Sequence, residues 1–61
     1  MDKLLNVAQV ANILNLSIHT IRLWTYQKKI PFFRLGSRIL FRESDLEKWI
    51  EEHTHNLDLI K

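Results

Sequence analysis

The feature that most narrows what this chain can fold into is the stretch Asn15-Leu16-Ser17, where one helix stops and another starts with almost no chain between them. Asn tolerates positive φ better than other non-glycine residues, so Asn15 fits the left-handed position that closes a helix. Ser17 is an N-cap type, since its hydroxyl accepts a bond from a first-turn amide. Upstream, Asn6 with Gln9 three residues later has the form of a capping box, and Leu5 is placed to pack on Val10 as a hydrophobic staple. Val7, Val10, Ala11 and Leu14 recur at helical spacing and make one apolar stripe. This predicts a helix of roughly nine residues, too short to stand without a partner. Downstream, Ile18 to Gln27 reads as the second helix, with Leu16, Ile21 and Trp24 inward and His19, Arg22, Leu23 and Tyr26 on other faces. Lys28 and Lys29 follow where cations favour the carbonyl end of a helix. Pro31 then forces Ile30 out of the helical region.

The alternation from Phe32 to Arg42 around Gly36 reads as a β-hairpin. A two-residue loop at Gly36-Ser37 puts Phe33, Leu35, Arg38 and Leu40 on one side and mixes a charge into both faces. A three-residue loop at Gly36-Ser37-Arg38 gathers Phe33, Leu35, Ile39 and Phe41 on one apolar face. One-sided burial selects register, so the three-residue loop is expected, with Arg38 at the tip and Arg34 and Arg42 on the outer side. A last helix is expected from Ser44, where Ser44 and Glu47 form a second capping box and Asp45 suits the positive end of the dipole. Leu46, Trp49, Ile50 and His53 fall at i, i+3, i+4 and i+7. The pattern loosens after that, which divides the chain into a domain over residues 1–54 and a tail over 55–61, either frayed or docked on a partner.

A chain of 61 residues buries only about 60% of the surface its unfolded form exposes. It has no cysteine, so disulfides, thiolate metal sites and thiol nucleophiles are excluded. Packing must therefore supply the stability, and Trp24, Trp49, Phe33, Ile39 and Phe41 are expected in the core, not as base-stacking platforms. His53 and His55 do not share a helix face and lack a third ligand, so neither a metal nor another cofactor is expected. Glu47 and Glu51 stack on an outer face and read as solvated charges; with no Gly-rich phosphate loop or nucleophile constellation, the chain is expected to be non-enzymatic. No apolar run is long enough to span a membrane and no leader pattern opens the chain, which points to the cytoplasm.

Charge is distributed unevenly. Residues 1–16 are neutral overall, and residues 43–61 carry a net −4. Between them, Arg22, Lys28, Lys29, Arg34, Arg38 and Arg42 stand with no acid at all, a net +6 within a chain of net +2. A purely basic middle joined to an acidic end suggests one surface for a polyanion and another kept away from it. Helix, tight turn, helix, basic hairpin and helix together describe a mainly α fold with a small β-hairpin, a compact winged helix-turn-helix. In that geometry the second helix is free to enter a major groove about 12 Å wide, while the hairpin reaches phosphates or the neighbouring minor groove.

The residues Val7-Ala8-Gln9-Val10-Ala11-Asn12-Ile13-Leu14, Leu16-Ser17, Thr20-Ile21, Trp24, Ile30-Pro31, Arg34-Leu35-Gly36-Ser37-Arg38 and Asp45-Leu46-Glu47-Lys48-Trp49 resemble the short excisionase-type DNA-binding domains related to the MerR family. The resemblance covers Leu4 to Glu52, with five separated elements in order and no insertion. It implies a double-stranded DNA binder of mobile-element type: a phage or transposon excisionase, a small regulator, or the targeting domain of a recombinase or terminase. It also implies adjacent copies on DNA, a recombinase or integrase partner, and a place at the bacterial nucleoid. Two positions depart from the pattern. Lys28 stands where the family often has glycine, which implies a different helix stop, and Ser44 replaces a frequent proline before Asp45.

The candidate DNA-binding residues are Ser17, His19, Thr20, Arg22, Leu23, Tyr26, Lys28, Lys29, Arg34, Ser37 and Arg38. Arg22 suits a bidentate contact to a guanine edge, or a phosphate. His19 and Thr20 lie in the first turn, where base edges and phosphates are in reach and the helix N-terminus favours an anion, though Thr20 is in part structural. Tyr26 donates to a phosphate or covers the junction of helix and wing. Lys28 and Lys29 read as phosphate neighbours, and Arg34, Ser37 and Arg38 as the wing. A competing reading makes the acidic third helix and the apolar residues Leu57, Leu59 and Ile60 a protein-docking surface.

Overall fold

The computed structural model describes residues 2–60, with side chains through His53. The chain runs β1 (Leu4–Asn6), α1 (Val7–Leu14), α2 (Ile18–Tyr26), β2 (Phe33–Leu35), β3 (Arg38–Arg42) and α3 (Glu43–Ile60). It is a winged helix-turn-helix whose hairpin gains a third strand, giving an antiparallel sheet in the order β1-β3-β2. Residues 55–61 and their expected role as a tail lie outside the residues whose side chains are described.

Asn6 ends β1 and caps α1 at once. Its side chain accepts from the Gln9 amide at 2.8 Å while the Gln9 side chain accepts from the Asn6 amide at 2.8 Å. The reciprocal bonds satisfy amides that a helix start leaves without partners. At the other end Asn15 takes φ 59°. Leu16 N–H donates to Ala11 O at 2.8 Å and Asn15 N–H to Asn12 O at 3.2 Å, the paired bonds of a Schellman motif. Ser17 caps α2 by accepting from the Thr20 amide at 3.1 Å.

The end of α2 corrects an expectation. Lys28 adopts φ 57°, the glycine-like conformation, so the helix does not stop differently. Lys29 N–H reaches Trp24 O at 2.8 Å and Lys28 N–H reaches Thr25 O at 3.1 Å, a second Schellman closure. These bonds and the packing beyond them hold a lysine where left-handed backbone costs about 1–2 kcal/mol.

The hairpin register also differs from expectation. Leu35 pairs with Arg38, Arg34 with Ile39 and Phe33 with Leu40, so the loop is Gly36-Ser37 alone. Gly36 at φ 64° supplies the positive φ that a type II′ turn needs at its first loop position. Arg38 is therefore the first residue of β3, not the tip, and Arg34 shares the inner face with Ile39 and Phe41. The burial argument failed because the inner face extends past the core at its β2 end. Arg34 is exposed there, and Phe32 packs against the core in the place expected for Phe33. Phe33 lies on the outer face under the Arg42 guanidinium, 4.9 Å from the ring centre.

β1 is too short for its alternation to be visible in sequence. It pairs Leu5 with Phe41, which turns both side chains inward. The core consists of Leu5, Val10, Ala11, Ile21, Ile30, Phe41 and Leu46. Leu16, expected inward, is 39% exposed, and Ile30 is buried in its stead. Trp24, Trp49 and Ile39 are half-buried around that cluster. The expected Ser44 capping box does not form, because β3 passes into α3 without a break and Ser44 falls inside the helix. Its hydroxyl donates to an Asp2 carboxylate oxygen at 2.9 Å, and Glu43 N–H extends the β1 ladder to Lys3 O at 2.9 Å.

Candidate nucleic-acid interface

Two residues fix how α2 sits. Ile21 and Thr25 are its buried positions, one turn apart, and they set the inner side. Thr25 is 4% exposed, yet its hydroxyl is satisfied by donating to Arg22 O at 2.7 Å. Periodicity alone signals this residue, since Thr25 lies at i+4 from Ile21, but its polarity hid it. The remaining face carries His19, Arg22, Leu23 and Tyr26, all exposed, with Tyr26 at 87%. Ser17 and Thr20 lie at the start of the same helix. Their hydroxyls are 2.9 Å apart and Ser17 is occupied as the cap, so both serve the helix start directly.

Between α2 and the wing lies a concavity of about 580 Å³ lined by Arg22, Thr25, Tyr26, Lys28, Phe32, Arg34 and Ile39. The register of the hairpin is what creates it. Because Arg34 shares a face with Ile39, its guanidinium belongs to the side of the sheet that packs on the helices, and it lines the same hollow as Arg22 and Lys28. The left-handed turn at Lys28 brings a second cation from the end of α2. Three cationic side chains and a phenol thus converge on one surface, and none of the described residues lining it is acidic.

Other candidates are not drawn into this hollow. Lys29 lines a separate one of about 500 Å³ with Trp24, Trp49 and His53. Its backbone is held at both ends, the amide to Trp24 O and the carbonyl accepting from Trp49 Nε1 at 2.8 Å. Trp49 is also 5.7 Å from the Trp24 ring centre and stacks on His53 at 4.3 Å, so it ties α3 to the segment that leaves α2. The i, i+4 spacing of Trp49 and His53 made their contact legible in sequence, whereas the bond to Lys29 had no signal there. Arg38 lies on the outer sheet face opposite Leu35, next to the exposed Gly36-Ser37 loop.

The acids occupy different ground. Glu47, Glu51 and Glu52 are exposed on α3. Arg42 stands 3.8 Å from Asp45 in an exposed ion pair, the one cation of the basic stretch that faces an acid among the described residues. Among the described residues no group of His, Asp or Glu gathers to hold a metal ion, and no helix is long and apolar enough to cross a membrane.

Residues 4–54 match a protein-family model described as "Helix-turn-helix domain". No curated protein and no solved structure matches the chain.

Proposed function

From the premise that the chain belongs to the helix-turn-helix domain family and so is a DNA-binding protein, we propose that it binds double-stranded DNA sequence-specifically, as a non-enzymatic module of the mobile-element excisionase type. α2 lies in the major groove, with Ser17, His19, Thr20, Arg22, Leu23 and Tyr26 at or near the bases and phosphates. The wing grips the flanking backbone or minor groove through Arg34, Ser37 and Arg38. The carrying observation is the acid-free concavity where Arg22, Lys28 and Arg34 meet beside an exposed helix face. Lys29 contributes from beyond its edge as a phosphate neighbour. The acidic α3 faces away, and the site of action is the cytoplasm, on the nucleoid.

One such module buries about 600–1,000 Å² of protein surface on DNA, so affinity from a single copy is modest. The reading therefore includes company, namely further copies on adjacent sites and a recombinase. Residues 1–54 form the DNA-binding domain in this account.

Fluorescence anisotropy of a labelled duplex across a salt series tests the reading. Contacts from Arg22, Lys28, Lys29, Arg34 and Arg38 predict a log–log slope of about −4 to −5, since each neutralised phosphate contributes about −0.9. Binding that ignores salt would contradict it. The excisionase component has its own test: permuting the site along a fragment is expected to reveal bending, and an unbent complex would leave a plain regulator.

A further inference from the structure

Along the outward side of α2, one large apolar side chain stands among polar neighbours. Leu23 is two residues from each of Ile21 and Thr25, the buried residues of the helix. It therefore lies about 200° round the helix from both and points directly away from the core. It is 44% exposed and is not among the side chains packed against the core. Nor does it line the concavity beneath the wing, whose helical rim is Arg22, Thr25 and Tyr26. His19, one turn before it, and Gln27, one turn after, are exposed and polar.

Resting on the reading that α2 enters the major groove, we propose that Leu23 reads the 5-methyl group of a thymine and so favours a T·A pair at one position of the site. The base-pair edges in that groove present hydrogen-bond donors, acceptors and one apolar feature, the thymine methyl. A leucine pressed against any other edge desolvates a polar group and returns no hydrogen bond, which is costly. Cytosine in the same place offers an amino group that a leucine cannot satisfy. The side chain at the pole of the helix therefore selects for thymine and against its nearest alternative with no donor or acceptor of its own. Arg22, about 100° away on the flank toward the wing, is left to address a guanine or a phosphate.

The test uses duplexes selected by the protein from a randomised pool. Each thymine of a selected site is replaced singly by deoxyuridine, which lacks only the methyl group, and affinity is read for the wild type and for Leu23→Ala. One position is expected at which the wild type loses about fourfold on demethylation, the worth of one buried methyl-sized group. Leu23→Ala is expected to bind the thymine and uracil duplexes there equally well, with an unchanged circular dichroism melt. The proposal is overturned if no thymine responds, or if Leu23→Ala keeps the wild-type loss at the same position. Selection of no duplex at all would instead bring down the DNA reading, and this contact with it.

Discussion

Helices α1 and α2 differ by one residue in length, eight against nine. Each opens on a side chain that accepts from the third helical amide, and each closes in a Schellman motif on a non-glycine residue at positive φ. Their chemistry diverges completely. α1 carries no charge and ends on Asn15, a residue that enters the left-handed region with little strain. α2 carries Arg22 and ends on Lys28, a more strained choice for the same φ. The Asn15 solution serves the fold alone, while the Lys28 solution also delivers a cation to the hollow beside the wing. Caps and inner stripes thus set the frame in both helices, and the proposed contact residues of α2 occupy positions that the frame leaves open.

Substitutions can break that comparison. The largest effect is expected from Ile21→Ala, which empties a fully buried site and costs about 3 kcal/mol in a denaturant titration. So small a domain has a reserve of only about 3–5 kcal/mol, and DNA binding is expected to fall in step with the folded fraction. Arg22→Ala, the neighbouring residue, is expected to leave the melting temperature alone and weaken a selected duplex by about 1–3 kcal/mol. If the two variants behaved alike, the division between frame and surface would fail.

Lys28→Gly sharpens the contrast between the helix ends. Relief of the left-handed strain is expected to add about 1 kcal/mol of stability, while the salt slope of DNA binding flattens by about 0.9. A loss of stability would show that Lys28 is held by contacts that outweigh its strain. Asn15→Gly gives the smallest change, less than about 0.5 kcal/mol in stability, with DNA affinity unmoved.

The helical frame was legible because caps are local. Asn6, Gln9, Asn15 and Ser17 state their roles within a few residues, and all four are found in them. The sheet was less legible because its register is settled at long range. Leu5 meets Phe41 across the chain, and the exposed end of β2 lets Arg34 occupy an inner-face position that burial alone forbids. Ser44 misled for a related reason, since strand β3 runs directly into α3 and leaves no gap to cap. Arg22 and Lys28 were visible as members of a basic set and Tyr26 as an outward neighbour, but their meeting with Arg34 depends on the hairpin register. The parting of Lys29 toward Trp49 depends on the left-handed turn before it.

The central claim is that α2 and the wing, joined by that hollow, make one surface for duplex DNA. Amide chemical shifts recorded while a selected duplex is titrated into the labelled protein test it most directly. The expected perturbations run from Ser17 to Lys29 and from Arg34 to Arg38, with Glu47, Glu51 and Glu52 of α3 unmoved. Leading shifts on α3, or on α1 away from α2, would contradict the account.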